Sequence, residues 1–143
     1  MKIQKGTTND APTLEHLFSV LYKPELKWSE EKLHEEIQTG EKDYYLAIEY
    51  NEIVGAFGIS FDASSAKFGP LAVRDTNRKR GIGSRLLSFA EELARGRGLS
   101  RIWCHSLERY NVANFYQNND WVEEEFIQDF WDGQNCFVYA KKL

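Results

Sequence analysis

Cysteine, proline and methionine are scarce in this chain: two, three and one among 143 residues. Cys104 and Cys136 are too few and too widely spaced for a disulfide framework or a four-ligand zinc site. They are expected as buried free thiols, and no metal is expected. Internal repeats, low-complexity tracts and Pro/Gly/Ser linkers are missing as well, so residues 1–143 are expected to form a single domain. No apolar run approaches the roughly 18 residues that a spanning helix needs. The opening MKIQKGTTND carries no apolar stretch of the signal-peptide kind. The expectation is a cytoplasmic protein without a membrane partner. Positive charge is also short: the net charge is −4 and the pI about 5.4. That balance disfavours a nucleic-acid partner, which calls for a broad basic surface.

Aromatic residues are plentiful, with four Trp, seven Tyr and nine Phe to build a core. Ile3 to Lys5 is expected to start a first strand. Asn9 or Asp10 caps a helix with Pro12 in its first turn, and Leu14, Leu17, Phe18 and Leu21 share one helical face before Pro24 interrupts. Ser29 caps a second helix that runs to Thr39, buries Trp28, Leu33 and Ile37, and stops at Gly40. Tyr44 to Tyr50 and Ile53 to Ser60 read as a hairpin turning at Asn51-Glu52. Phe68 to Val73 is a further strand, with a bulge or an edge position at Gly69-Pro70. A loop from Arg74 to Arg80 leads into a long helix, Gly81 to Arg97. Then come a strand (Arg101 to Ser106), a short helix (Asn111 to Asn118) and a hairpin, Trp121 to Trp131 and Gln134 to Lys141, turning at Asp132-Gly133. The pattern predicts an α/β fold on a mixed, mostly antiparallel sheet.

One corner of this plan has chemical character. After Pro70-Leu-Ala-Val73 a strand ends, a loop turns, and a helix opens at Gly81-Ile-Gly83. The first turn of a helix has N–H groups without intrahelical partners and carries a partial positive charge. Glycines there let a ligand approach the backbone, so the corner suits phosphate. Between Arg74 and Arg85 five basic residues stand against one acid, Asp75, so the window carries +4 and the rest of the chain −8. A P-loop is excluded because no Gly-x-x-x-x-Gly-Lys-Ser/Thr string occurs. A dinucleotide fingerprint is excluded because position 86 is Leu where a third glycine is required.

Arg78-Lys-Arg-Gly-Ile-Gly83 matches Arg/Gln-x-x-Gly-x-Gly/Ala. With Leu71-Ala72-Val73 before it, the segment resembles the acetyl-CoA motif of the GNAT superfamily of N-acetyltransferases. The hairpin from Tyr45 to Phe57, the strand around Trp103-Cys104 and the segment Phe115-Tyr116…Trp121 resemble further parts of that family. The resemblance implies a GNAT-like sheet of about seven strands with about four helices, and acetyl-CoA as co-substrate. It implies that backbone N–H groups of Arg80, Gly81, Ile82, Gly83 and Ser84 hold the pyrophosphate, with Arg78, Lys79 or Arg85 screening its charge. Leu71, Ala72 and Val73 would line the pantetheine arm, and the Val73 N–H would face the oxyanion. Asn111 would bond the same arm, although helix capping explains that residue equally well.

The resemblance also implies Tyr116 as the acid that protonates the leaving thiolate. The alignment departs from the family pattern at three points. Val112 stands where a small residue is common, Asp120 stands where the pattern has Gly, and the link from Trp103-Cys104 is about two residues long. No base is evident, and His105, near the end of its strand, is the candidate alongside water. Cys104 as an acyl-carrying nucleophile is disfavoured, because nothing basic adjoins it in sequence. The acceptor side should draw on Glu30, Glu31, Glu35 and Glu36, and on Glu123, Glu124, Glu125, Asp129 and Asp132 beside Phe126, Phe130 and Trp131. That surface favours a cationic amine, either a small molecule or a peptide amine. A homodimer is allowed by the family. The rival reading is a CoA-binding sensor or regulatory subunit without catalysis.

Overall fold

A computed structural model describes residues 1–21, 28–77 and 81–143. Its sheet has seven strands in the order β1-β2-β3-β4-β5-β7-β6. They are β1 Lys2–Lys5, β2 Asp43–Glu49, β3 Glu52–Phe61, β4 Ser65–Val73, β5 Arg101–Leu107, β6 Val122–Trp131 and β7 Gln134–Lys142. The described residues include four α-helices, α1 Ala11–Phe18, α2 Glu30–Thr39, α3 Ile82–Gly96 and α4 Ala113–Asn118. β1/β2, β2/β3, β5/β7 and β6/β7 pair antiparallel, and β4/β5 pair parallel. The expected mixed, mostly antiparallel α/β sheet is what forms. Pro24 lies outside the described residues.

The chain divides into two compact units, residues 1–60 with 70–89, and residues 61–69 with 90–143. Strand β4 and helix α3 each give residues to both. In the first unit Leu14, Leu17 and Phe18 of α1, Trp28, and Leu33 of α2 pack with Tyr44, Leu46, Ala56 and Ala72 of the sheet. The side chain of Ser29 caps α2 by accepting from the Lys32 N–H at 3.2 Å, and Glu15 of α1 accepts from the Glu30 N–H at 2.6 Å. The Asp10 carboxylate turns instead to the Thr7 N–H at 2.7 Å, so it serves the short 3-10 turn ahead of α1 rather than α1 itself. Burial and the neighbouring Glu36 carboxylate push the Tyr44 phenol far up; its hydroxyl donates to Glu36 at 2.7 Å and ties α2 to β2.

Several boundaries differ from the sequence expectation for identifiable reasons. The first hairpin turns at Tyr50-Asn51, both at positive φ, because Glu49 pairs with Glu52; the expected turn was one residue later. Left-handed φ at both central residues is the type I′ geometry whose twist matches paired strands. β4 begins at Ser65, three residues early, where the Asp62 carboxylate accepts from the N–H groups of Ser64 and Ser65 at 2.9 and 2.8 Å and starts the strand. Gly69 has φ +120, which accounts for the irregularity expected at Gly69-Pro70. α4 begins at Ala113, two residues late, because Asn111 sits at φ +53 and ends the preceding 3-10 turn.

The second unit is held by one buried carboxylate. Glu91, 5% exposed on α3, accepts from the Trp121 indole N–H at 3.0 Å and from the Lys141 ammonium at 2.9 Å. α4 ends in a Schellman motif: the Trp121 N–H reaches the Tyr116 carbonyl and the Asp120 N–H reaches the Gln117 carbonyl, both at 3.0 Å. Asp120 takes the left-handed position at φ +68 that glycine fills most easily, and Trp121 follows as the apolar anchor. The Gly that the family pattern carries here is therefore a helix stop, and Asp120 performs it at some strain.

Two stability outcomes follow. Asp120→Gly relieves about 1 kcal/mol of left-handed strain and gives back part of it as chain entropy, so urea unfolding should show a net gain of about 0.5 kcal/mol. Glu91→Ala strands the Lys141 ammonium and the Trp121 N–H, and the same measurement should show a loss of about 3 kcal/mol.

Candidate active site

The corner anticipated from sequence is built in the first unit. α3 opens with the Arg85 N–H bonding the Gly81 carbonyl at 3.1 Å, so Gly81 caps the helix and Ile82, Gly83 and Ser84 form its first turn. Gly81 has φ +78 and a Cβ there would meet nothing within 4 Å, so backbone conformation and not space demands glycine. Ile82 is buried and anchors the turn, whereas Gly83 and Ser84 are half-buried and Arg85 is exposed. The first-turn amides bring the positive end of a 15-residue helix to this corner. The expected contributions of Arg78, Lys79 and Arg80 lie outside the described residues.

Leu71, Ala72 and Val73 form the last residues of β4. The Arg74 N–H donates to the Val54 carbonyl of β3 at 2.9 Å. Amides alternate in direction along a strand, so the Val73 N–H points away from β3. Val54 is the extra residue of a bulge: Ala47 pairs with Gly55 but Ile48 with Ile53. Gly55 lets the neighbouring parts close up. A Cβ there would come within 3.0 Å of the Ala72 carbonyl oxygen, 3.3 Å of Leu86 on α3 and 3.4 Å of Val73. Sequence reasoning gave Gly55 no role; its place between Val54 and Ala56 in an otherwise bulky strand was the available signal.

The second unit carries the remaining candidates. β4 and β5 pair from Ser65↔Arg101 to Lys67↔Trp103, and the next residue of β5 is Cys104. Tyr116 of α4 is 6% exposed, with its ring stacked on Tyr139 at 4.7 Å and 16° and tilted on Trp121 at 5.3 Å. Cys104 is its neighbour across the strand pair, since Tyr139 is the register partner of Cys104. Burial, followed by the neighbouring Cys104, raises the phenol well above its ordinary value. Burial pushes the Cys104 thiol up to about 12, so it is protonated at neutral pH and unsuited to carry an acyl group. Cys136 is buried and free as well, as expected.

His105 lies between two aromatic rings, Trp103 at 5.0 Å and Phe130 at 4.7 Å, and the Lys67 ammonium stands 5.2 Å over Trp103. Tyr116 and His105 belong to different surroundings, since Cys104 lies between Trp103 and His105 and points to the opposite sheet face. Asn111 ends the preceding 3-10 turn as a left-handed stop, with its N–H on the Glu108 carbonyl at 3.0 Å, and it is Val112 that stands at the N-cap of α4, so the cap expected of Asn111 is a C-cap of another element. Of the acids expected on the acceptor side, Glu36 is buried on Tyr44 and Glu124 pairs with Arg101 at 2.7 Å; Arg101 is the first cause of the Glu124 carboxyl's lowered pKa. Among the described residues no cluster of three or more His, Cys, Asp or Glu side chains forms a metal-ligand set, and no helix is long and apolar enough to cross a membrane.

The family model described as Acetyltransferase (GNAT) family matches residues 12–121. The chain belongs to the GNAT acetyltransferase family. Its fold is shared by an aminoglycoside 6'-N-acetyltransferase solved with coenzyme A (TM-score 0.81, 18% identity, 99% of this chain and 97% of that one). A protein of Streptococcus mutans superposes at TM-score 0.85 with 19% identity over 99% of both chains. An IAA acetyltransferase from Bacillus cereus superposes at 0.80 with 17% identity, again over 99% of both. No curated protein matches the chain by sequence. The protein is thus a GNAT acetyltransferase, of a family whose enzymes use acetyl-CoA.

Gly55→Ala forces the Ala72 carbonyl and Leu86 outward. Isothermal titration should show CoA binding weakened by about tenfold or more, with circular dichroism retaining the α/β spectrum. Unchanged affinity would show that β4 and α3 do not need this close approach.

Proposed function

We propose that this acetyltransferase moves the acetyl group of acetyl-CoA directly onto a primary amine, and that the amine is cationic. The observation that carries the reading is the helix-capping Gly81, whose left-handed φ presents the first-turn amides of α3 just after β4 in the chain. Those amides suit a pyrophosphate, as the positive end of a helix suits any anion. Arg85 is exposed on the same turn, and Arg78, Lys79 and Arg80 precede it in the sequence. Leu71 and Val73 would pair with the pantetheine arm along the edge of β4 that faces away from β3. The Val73 N–H would donate to the oxyanion.

In the reaction the neutral amine nitrogen attacks the thioester carbonyl carbon. The tetrahedral intermediate collapses with cleavage of the C–S bond. The amine's surplus proton passes to water or to His105, and the CoA thiolate takes the Tyr116 phenolic proton. The protonated, buried state of Cys104 supports direct transfer over an acyl-cysteine intermediate. The cationic acceptor is supported by exposed Glu30, Glu31 and Glu35 in the first unit, by exposed Glu123 and Glu125 on the strand of the second unit that also carries exposed Phe126 and Phe130, and by the aminoglycoside enzymes among the structural relatives. Two free buried thiols fit a reducing cytoplasm.

Thiol release from acetyl-CoA across a panel of polyamines, aminoglycosides, peptide amines and anionic amines tests the reading. Cationic amines should give the highest kcat/KM, and Tyr116→Phe should lower kcat by about a hundredfold. Preference for anionic amines would overturn the acceptor class, and CoA binding with no thiol release from any amine would favour a sensor. Because the phenol is raised, kcat should not fall through Tyr116 ionisation as pH rises to about 10. A Tyr116-dependent alkaline limb at lower pH would contradict this.

A further inference from the structure

We infer that Lys141 of β7 is a positioning residue for Tyr116, fastening the C-terminal end of α4 so that the phenol keeps its place. The inference rests on the reading of Tyr116 as the acid and adds a residue to it. α4 has six residues, Ala113–Asn118, and Tyr116 stands in its second half. A helix this short does not hold itself in water, so contacts from outside fix it. Those contacts are unevenly placed. Val112 at the N-cap gives no side-chain hydrogen bond. At the other end the Asn119 side-chain amide donates to the Phe115 carbonyl at 2.7 Å, and the Lys141 ammonium donates to the Asn119 carbonyl at 3.3 Å. A cation there also meets the negative end of the helix.

The Lys141 ammonium is itself held. Its second partner is the Glu91 carboxylate of α3 at 2.9 Å, and the other oxygen of that carboxylate accepts from the Trp121 indole N–H at 3.0 Å. The Lys141 and Glu91 side chains are 22% and 7% exposed, so water and salt screen the pair little. Trp121 in turn donates its backbone N–H to the Tyr116 carbonyl at 3.0 Å and has its ring 5.3 Å from the phenol ring. Side chains alternate along β7, so Tyr139 and Lys141 share one face of that strand. Tyr139 stacks on the Tyr116 ring at 4.7 Å and 16°. One strand face thus grips the ring with an aromatic side chain and the helix end with a cation. Stacking fixes the plane of the phenol but lets it slide within that plane. The bond at the helix end opposes the slide, and Lys141 supplies it. A lysine in a merely structural ion pair would add stability without altering the rate of the folded molecule.

The test is a set of variants in the full-length protein, read as kcat and KM for acetyl-CoA with the best amine of the panel. Lys141→Met keeps the length of the side chain and removes the cation. It should lower kcat by about fivefold, the worth of one such hydrogen bond, with KM changed by less than about twofold. Lys141→Arg, which keeps the cation, should recover kcat to within about twofold of the unaltered enzyme. In a Tyr116→Phe background Lys141→Met should add nothing. Should Lys141→Met fail to fold because Glu91 is left charged in the interior, the double variant Glu91→Gln/Lys141→Met removes both charges, keeps an acceptor for Trp121 and carries the same expectation. An equal loss in both backgrounds, or no loss in the first, would overturn the role of Lys141 and leave the acid standing. If Tyr116→Phe is itself without effect on kcat, the acid reading fails and the positioning role with it.

Discussion

The absence of a side chain at Gly55 is the contact on which the cofactor corner depends. β3 must lie close enough for its backbone to meet the Ala72 carbonyl, yet Leu86 of α3 must reach the same spot. A Cβ would take up that room and separate the strand that ends in Val73 from the helix that starts at Ile82. In the proposed reading both elements would give backbone groups rather than side chains to the cofactor, so their position is what matters. A bulge at Val54 sits beside this contact and receives the Arg74 N–H, which fixes the last residue of the strand before the loop.

The second unit solves a different problem, burying polar groups at tolerable cost. Glu91 would be costly alone, and it is acceptable because Trp121 and Lys141 satisfy it with Arg95 at 3.7 Å. Through Trp121 the same carboxylate holds the aromatic anchor that follows the stop of α4. The Tyr116 ring is packed against that anchor. A carboxylate on α3 thereby helps to fix the helix that carries Tyr116.

The sequence was most readable where one residue type has one physical reason to occur. Gly81-Ile-Gly83, the cap at Ser29, the stop at Gly40 and the Asp132-Gly133 turn fall as expected, since each answers a local backbone demand. It was least readable where two residues compete for one task. Tyr50-Asn51 won the hairpin turn over Asn51-Glu52 because pairing of Glu49 with Glu52 set the register, which is a property of two strands and not of one tetrapeptide. Asp10 looked like a helix cap and became the partner of Thr7 in a preceding turn. Asn111 looked like a cap for the short helix and became the stop of the 3-10 turn before it. Gly55 was invisible as a contributor because its role lies in contacts between elements distant in the chain.

A buried phenol is a poor acid, and that shapes the transfer. Its pKa lies well above 10 here, whereas a free thiol sits at about 8.5, so proton transfer from Tyr116 to a fully formed thiolate is uphill in equilibrium terms. Acidity therefore cannot be what the tyrosine contributes. In the proposed transfer its contribution would be a buried donor already in place when negative charge gathers on sulfur, where a low local dielectric strengthens the bond. Such a donor works by orientation, because a hydrogen bond weakens steeply when its angle closes below about 120°. Three rings hold the phenol plane, an arrangement that favours geometry over acid strength. In the proposed transfer the proton would follow the C–S bond rather than lead it, and would leave for good once CoA departs with its thiol and the phenolate is reprotonated from water.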